Sequence, residues 1–109
     1  MKAVIAYHVT PERFDVFRTP AEFTDRAGAE RLMENFPKEN VIKVSLTLGK
    51  TKKLDMKKVD PDNKEKLKDY MLSNGIDSVL VPSNWGNRDD IIVLSTSQIR
   101  ILKTGKKEI

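Results

Sequence analysis

The sequence predicts a single α+β domain in which a mainly antiparallel sheet carries about two helices. Its 109 residues suffice for one core. An apolar fraction of 39% and a charged fraction of 33% are typical of a soluble globular chain. Short apolar runs rich in Ile and Val alternate with two helix-like stretches, and the last three strand-like runs are adjacent in sequence.

The N-terminal segment predicts a strand over residues 3–8, because the run is short and apolar and ends in Tyr7 and His8. Pro11 should break it, since proline lacks the N–H that a ladder needs. Phe14, Val16 and Phe17 are apolar but irregular, which predicts a packed loop or a short strand before the turn at residues 19–20.

The first helix should begin near residue 25, where Thr24 or Asp25 can accept a free N–H of the first turn. Four apolar residues then recur at helical spacing, which predicts a face packed on the core. These residues are Ala29, Leu32, Met33 and Phe36. Pro37 should end the helix.

The middle of the chain predicts a strand, an edge strand and a second helix. Strict apolar alternation indicates a strand over residues 41–48, closed by Gly49, and residues 53–56 suggest a short edge strand. Asp60 and Pro61 are suited to the N-cap and first position of a helix. Its apolar face should comprise Leu67, Tyr70 and Met71, and Asn74 and Gly75 should stop it.

The last third of the chain predicts three strands, over residues 78–81, 91–94 and 98–102. A loop over residues 82–88 contains Trp85, and a turn lies at residues 95–97. We expect the domain to span residues 1–104 and residues 105–109 to be a frayed tail.

Composition narrows the classes of function. With no cysteine and one histidine, disulfides are excluded and a metal site is not expected. The absence of cysteine leads us to expect a cytoplasmic protein. No run is long enough to cross a bilayer, so we expect no membrane partner. The net charge is +4, and lysines recur between Lys50 and Lys68 among acidic residues. This pattern is typical of a solvated face, and a surface for nucleic acid or an acidic partner is the alternative.

Candidate chemistry is limited to a few titratable residues: His8, Glu22, Asp25, Asp89 and Asp90. There is no Gly-x-Ser-x-Gly elbow and no Gly-rich phosphate loop. A lone histidine is more often structural, and paired acids before a strand are more often a solvated turn. The residues by themselves therefore indicate a small domain with a possible His/acid site.

Three segments, taken in order, resemble the ADP-ribosyltransferase family. They are Tyr7-His8-Val9-Thr10, Glu22-Phe23-Thr24-Asp25, and the run from Asp90 to Ile99, in which Gln98 follows Asp90 at an interval of eight residues. The similarity is to the branch of poly-ADP-ribose polymerases and to small transferase domains of phage and mobile-element polyvalent proteins. The fold implied is a single ADP-ribosyltransferase-like domain.

The resemblance also implies roles for individual residues, with NAD as co-substrate. His8 matches a histidine that bonds the ribose next to nicotinamide. The backbone of Val9 matches that of a glycine that grips the carboxamide, and Thr10 matches the neighbouring hydroxyl residue. Glu22 falls where the family has a tyrosine that stacks on nicotinamide, and Phe23 follows it. Asp90 matches the catalytic glutamate, so the expected catalytic set is His8, Asp90 and Glu22.

The function expected from the resemblance is NAD-dependent mono-ADP-ribosylation of a protein or nucleic-acid acceptor, and the similarity to phage and mobile-element domains implies an effector of that kind. Residues 11–20 and 82–88 are the loops expected to read the acceptor. One alternative is a transferase fold without chemistry that works as a binding or inhibitory module. A weaker alternative is a small basic nucleic-acid binder that uses the Lys50 to Lys68 face.

Overall fold

Seven β-strands and two α-helices make up the part of the chain that the structure, a computed structural model, describes: residues 1–11 and 17–105. The elements in order are β1 (Lys2–Thr10), β2 (Ala21–Phe23), α1 (Arg26–Asn35), β3 (Asn40–Leu48), β4 (Thr51–Lys53), α2 (Lys64–Ser73), β5 (Ser78–Val81), β6 (Asp90–Val93) and β7 (Ile99–Gly105). The predictions for Phe14, Val16 and residues 106–109 lie outside the described residues. A radius of gyration of 13.3 Å is that of one compact domain of about 100 residues.

The strands form two sheets instead of the single sheet predicted. The first sheet has the order β1-β3-β7 and the second the order β2-β6-β5-β4. Every paired strand is antiparallel except β4, which runs parallel to β5. The α+β class with two helices and mostly antiparallel strands is therefore confirmed, and the number of sheets is corrected.

The two sheets meet at one point, where β1 passes the end of β2. Tyr7 and Thr24 exchange two backbone hydrogen bonds of 2.9 Å, and no other bridge between these strands is formed by the described residues. Because β2 otherwise pairs with β6, the sheets diverge on either side of this bridge. The apolar core between them includes Phe17, Phe23, Ile42, Leu46 and Val93.

Each helix covers the outer face of one sheet. On the second sheet, Leu67 and Met71 of α2 pack on Val79, Val81 and Ile92. On the first sheet, Ala29 of α1 packs with Tyr7 and Val41. The domain therefore has four layers, in the order α1, first sheet, second sheet and α2. One apolar cluster lies between each pair of neighbouring layers.

The start of α1 is as predicted. The Asp25 carboxylate accepts the N–H of Gly28 at 2.7 Å and caps the helix. The predicted apolar stripe is only partly core, because Phe36 is 45% exposed and packs edge-on against Trp85 with ring centroids 6.2 Å apart. The helix ends at Asn35, shortly before Pro37.

The predicted start of α2 at Asp60 is wrong. Asp60 accepts the N–H of Asp62 at 2.9 Å in a local turn, and Asn63 is the residue that caps the helix. The predicted end of α2 at Asn74 and Gly75 is confirmed. Gly75 has a φ of +63°, and the N–H groups of Gly75 and Ile76 bond the carbonyls of Leu72 and Met71, which is a Schellman motif.

The edge strand lies at Thr51–Lys53, earlier than predicted. Leu54, which follows it, is buried, and its N–H still bonds the Leu80 carbonyl. The strand predicted at 91–94 begins one residue sooner, at Asp90. A single 3₁₀ turn, Thr96–Gln98, then leads into β7. The Gln98 amide donates to the carbonyls of Thr47 and Asp77, at 3.1 and 3.0 Å, and thereby ties the two sheets together.

Candidate functional site

A cleft of about 220 Å³ lies where β1, β2 and β6 meet. Its lining comes from strands of both sheets, from α1 and from the loop before β6. The lining residues are Tyr7, His8, Val9, Glu22, Phe23, Thr24, Leu32, Trp85 and Asp90. Every residue proposed for the site from the sequence is among them except Thr10, which is buried and pairs with Asn40 at the far end of β1.

The register of the second sheet brings Glu22 and Asp90 together. Glu22 pairs with Ile92 and Phe23 with Ile91, so Glu22 and Asp90 are diagonal neighbours on one face of the sheet. His8 joins them from the first sheet, because its Nδ1–H donates to the Glu22 carbonyl at 3.0 Å. Two carboxyl groups and the single histidine of the chain thus share one cleft.

The Glu22 carboxyl holds a proton up to near-neutral pH. Burial against the cleft wall raises the pKa of Glu22, and the charge of Asp90 and a hydrogen bond between the two carboxyl groups raise it further, to about 7. The Asp62 charge adds to this, and Lys64 opposes it. Although Glu22 as a residue is exposed, burial of its carboxyl end is the largest cause of the raised pKa, and the contact with Asp90 adds to it.

Asp90 is the buried member of the pair. It is 9% exposed, and its Oδ1 has no hydrogen-bond partner among the described residues. A buried carboxylate oxygen without a donor costs free energy. The arrangement is suited to a ligand that brings a hydroxyl or a positive charge to Oδ1.

Burial lowers the pKa of His8 below its ordinary value of 6.5, the Glu22 carbonyl opposes this shift, and Lys64 adds to it. The ring is therefore neutral at pH 7, with its proton on Nδ1 and an acceptor lone pair on Nε2. Phe17 and Phe23 contact the ring edge-on, with centroids 5.3 and 5.8 Å away. Because Phe23 is only 1% exposed, it supports the histidine and offers little surface to a ligand.

The loop before β6 is attached to α1 by two charged residues. Besides capping α1, the Asp25 carboxylate accepts the N–H groups of Asn87 and Arg88 at 2.9 and 3.0 Å. The Arg31 guanidinium donates to the Trp85 carbonyl and to the Asn87 side chain. These contacts place the Trp85 indole at the mouth of the cleft.

Two glycines allow the loop to approach the helix closely. A Cβ on Gly86 would lie 2.5 Å from Asp25 Oδ1 and 3.0 Å from Thr24 Oγ1, and one on Gly28 would lie 3.0 Å from the Gly86 nitrogen. The backbones of α1 and the loop are therefore in direct contact, which a larger residue at either position would prevent.

Some residues that line the cleft, support it or lie beside it were not assigned to a site from the sequence. Leu32 had been interpreted as core, since its helical spacing does not distinguish a cleft wall from a packed face. Asp25 was named as a cap and as a titratable candidate but not as a support for the loop, and Arg31 was not named at all, because both act on a loop more than fifty residues away. Asp89, which was expected to be solvated, is partly buried, and its Oδ2 lies 3.9 Å from Lys53 Nζ.

The structure also bears on the metal, membrane and nucleic-acid partners that were considered from the sequence. Among them no group of three or more His, Asp or Glu side chains is arranged to hold a metal ion. No helix in the described part of the chain is long and apolar enough to cross a membrane. The lysines between Lys50 and Lys68 are all exposed.

Three comparisons with known proteins were made for this chain. None of the family models, curated proteins or solved structures matches it. The candidate function is therefore argued from the chemistry of the cleft and from the resemblance of its residues to those of the ADP-ribosyltransferase family.

Proposed function

We propose that the protein is an NAD-dependent mono-ADP-ribosyltransferase whose reaction takes place in the cleft between β1, β2 and β6. The observation that carries the proposal is the buried Asp90 carboxyl, whose Oδ1 has no partner among the described residues and which lines one cleft with His8 and Glu22. These residues are the ones that the family resemblance selects; His8 and Asp90 keep the roles that it implies, and Glu22 takes a different one.

The size and chemistry of the cleft are suited to the nicotinamide-ribose half of NAD. A cleft of about 220 Å³ is smaller than the roughly 300–1,000 Å³ of most ligand sites, so the adenosine half would lie outside it. Lys64 acts electrostatically on both His8 and Glu22 and is well placed to attract the pyrophosphate. Trp85 provides the aromatic surface at the cleft mouth that Glu22, in the place of a tyrosine, does not.

The bond that breaks joins nicotinamide to C1′ of the ribose, and nicotinamide leaves with the electron pair. Positive charge then develops on the sugar, and a carboxylate held in a dry site stabilises that charge far better than water does. Asp90 has this role in the proposal, and neutral His8 binds a ribose hydroxyl. The acceptor forms the new bond to C1′, and its proton passes to the Glu22 carboxylate.

The Glu22 pKa of about 7 implies a pH dependence. Below pH 7 the protonated Glu22 donates to Asp90 and partly neutralises it, so the cation is stabilised less. Above pH 7 both carboxylates face the developing charge, and Glu22 can take a proton. Nicotinamide release should therefore rise through pH 7.

The decisive experiment compares Asp90→Asn with Asp89→Asn. Both remove one negative charge at the start of β6, but Asp89 does not line the cleft. Nicotinamide release and transfer of label from NAD would be measured with cell lysate and with mixed nucleic acids as acceptors. We expect Asp90→Asn to lower the rate by about 100- to 1,000-fold, and Asp89→Asn to stay within a few-fold of wild type.

NAD binding separates the remaining outcomes, because a ligand that binds only the native state raises the melting temperature. If wild-type protein neither binds NAD nor releases nicotinamide, the transferase proposal is wrong, and a binding module without chemistry becomes the better interpretation. If binding occurs and Asp90→Asn is as active as wild type, the role of Asp90 is wrong.

A further inference from the structure

The outer edge of β1 is a second feature of the fold that can bind a partner. β1 pairs with β3 on one side, and on its other side Tyr7 bonds Thr24 in both directions. Residues two apart in an antiparallel ladder point their N–H and C=O groups the same way. Ile5 and Ala3 therefore present backbone donors and acceptors away from β3, and no described strand pairs with them.

A groove of about 380 Å³ runs along this edge, between β1 and the second sheet. Apolar side chains form most of its lining, and charged residues lie around them. The apolar residues are Val4, Ile5, Ala6, Phe23, Leu48, Leu80 and Ile91, and the charged residues are Lys2, Asp25, Arg88 and Asp89. Ile5 is 52% exposed, so an apolar surface lies directly beside the unpaired backbone.

The edges of β4 and β7 differ from that of β1. β4 consists of Thr51, Lys52 and Lys53, and β7 contains Arg100 and Lys103. Charged residues on an edge strand discourage pairing with another chain. Residues 3–6 of β1 carry no charge, no proline and no bulge, so this edge lacks the usual protection against pairing.

We propose that the groove binds an extended peptide segment of a partner protein, which adds to the first sheet as a strand antiparallel to β1. The peptide would continue the pairing that Thr24 begins, at the point where the chain turns away into α1. Its backbone would bond Ile5 and Ala3, and an apolar side chain would enter the groove, as in other cases of strand addition.

The charges around the groove favour an acidic peptide. Among the described residues, Lys2 and Arg88 form no ion pair, whereas the Asp25 carboxylate accepts three backbone N–H groups and Asp89 lies near Lys53. A second copy of this chain fits less well. Antiparallel pairing of two β1 edges would bring Lys2 of each copy to the end of the groove where Arg88 of the other lies.

The test uses a phage-displayed library of random octapeptides, selected on the wild-type protein. Two variants at one position separate the backbone from the side chain. Both Ile5→Thr and Ile5→Pro shorten the apolar side chain, but only proline removes the N–H that faces the groove. Because that N–H is not part of the β1–β3 ladder, proline is tolerated there in a folded edge strand, which circular dichroism would verify.

We expect the enriched peptides to alternate apolar and polar residues next to an acid, and to bind Ile5→Thr within a few-fold of wild type. Binding to Ile5→Pro should fall at least tenfold, and the Ile5 amide should exchange with solvent more slowly when peptide is bound. The double variant Lys2→Glu, Arg88→Glu should lose the preference for acidic peptides.

Three results would overturn the proposal: no enrichment on wild type over Ile5→Pro, equal binding of the selected peptides to both, or self-association of the wild type that Ile5→Pro abolishes. The last would identify a second copy as the occupant. The inference does not depend on transferase activity, because Ile5 does not line the catalytic cleft, and nicotinamide release by Ile5→Pro is measured separately.

Discussion

Replacing Glu22 by glutamine should make the protein more stable at pH 8 and leave its stability almost unchanged at pH 4.5. Glutamine has the shape of a protonated glutamate and can still donate a hydrogen bond to Asp90. The raised pKa of Glu22 means that the native state favours its protonated form. The associated stability is fully present below the unfolded-state pKa of about 4.5 and is lost as the pH rises through 7.

The size of the effect follows from the pKa difference. A shift from 4.5 to about 7 would correspond to about 3.4 kcal/mol if it were expressed entirely in stability. Because Glu22 is open to solvent on one side, screening reduces this, and we expect about 1 kcal/mol. For a domain of this size, 1 kcal/mol shifts the melting temperature by about 4–8 °C.

The assay is urea unfolding of wild type and Glu22→Gln at half-unit steps between pH 4.5 and 8. The difference in the free energy of unfolding between the two proteins should grow with pH and level off above 7. Repeating the measurement in an Asp90→Asn background isolates the contribution of Asp90. The gain should shrink there without vanishing, because burial is the largest cause of the shift.

Curves for wild type and Glu22→Gln that stay parallel over the whole pH range would refute the reasoning, since the pKa of Glu22 would then be the same in the native and unfolded states. A gain of equal size in the Asp90→Asn background would assign the shift to burial alone. It would also remove the electrostatic contact between Glu22 and Asp90 on which the proposed pH dependence of nicotinamide release depends.

Three further substitutions test the framework of the cleft, each by thermal and urea unfolding. Asp25→Ala should cost about 2–3 kcal/mol, since the helix cap and two loop hydrogen bonds are lost together, and Asp25→Asn should cost less. Gly28→Ala should destabilise by about 1–3 kcal/mol despite the better helix propensity of alanine, because the new Cβ has no room; a gain in stability would contradict the close approach. Gln98→Ala should cost about 1–3 kcal/mol by leaving two carbonyls and the Ser95 N–H without their partner.

Elements with a long periodic pattern were predicted well from the sequence. The alternation over residues 41–48 predicts β3 to within one residue, because one face of that strand is fully buried and most of the other face is not. The Asn74-Gly75 stop is equally clear, since few residues adopt a positive φ. In both places a local physical requirement selects the residue type.

The errors occurred where two local signals competed or where an element is too short to have a period. Asp60 and Asn63 each accept a backbone N–H, Asp60 in a local turn and Asn63 as the cap of α2. The residue types alone do not distinguish the two roles. β2 has three residues, too few to show alternation, and it exists because Tyr7 and β6 pair with it. The division into two sheets depends on this strand and was missed for the same reason.

The candidate site was anticipated as a set of residues but not as a physical arrangement. His8, Glu22 and Asp90 were named from the resemblance, whereas their meeting depends on the β2–β6 register and on the bridge between Tyr7 and Thr24. No local pattern contains that information. The contact between the two carboxyl groups, which raises the pKa of Glu22, is a consequence of the tertiary fold.

The distribution of unsatisfied polar groups is itself an argument that the cleft is functional. Outside the cleft, Gln98 uses its whole amide and Ser78 bonds both Thr51 and Asp77, and Asn40 Oδ1 is the one buried side-chain oxygen of the described residues there that lacks a partner. Three buried side-chain oxygens lack a partner among the described residues, and two of them, Thr24 Oγ1 and Asp90 Oδ1, belong to residues that line the cleft. The same cleft contains a second carboxyl beside Asp90 and a histidine held neutral. The unpartnered oxygens and the paired carboxyl groups cost stability, and their concentration at one site is expected where a ligand completes the interactions that these oxygens leave open.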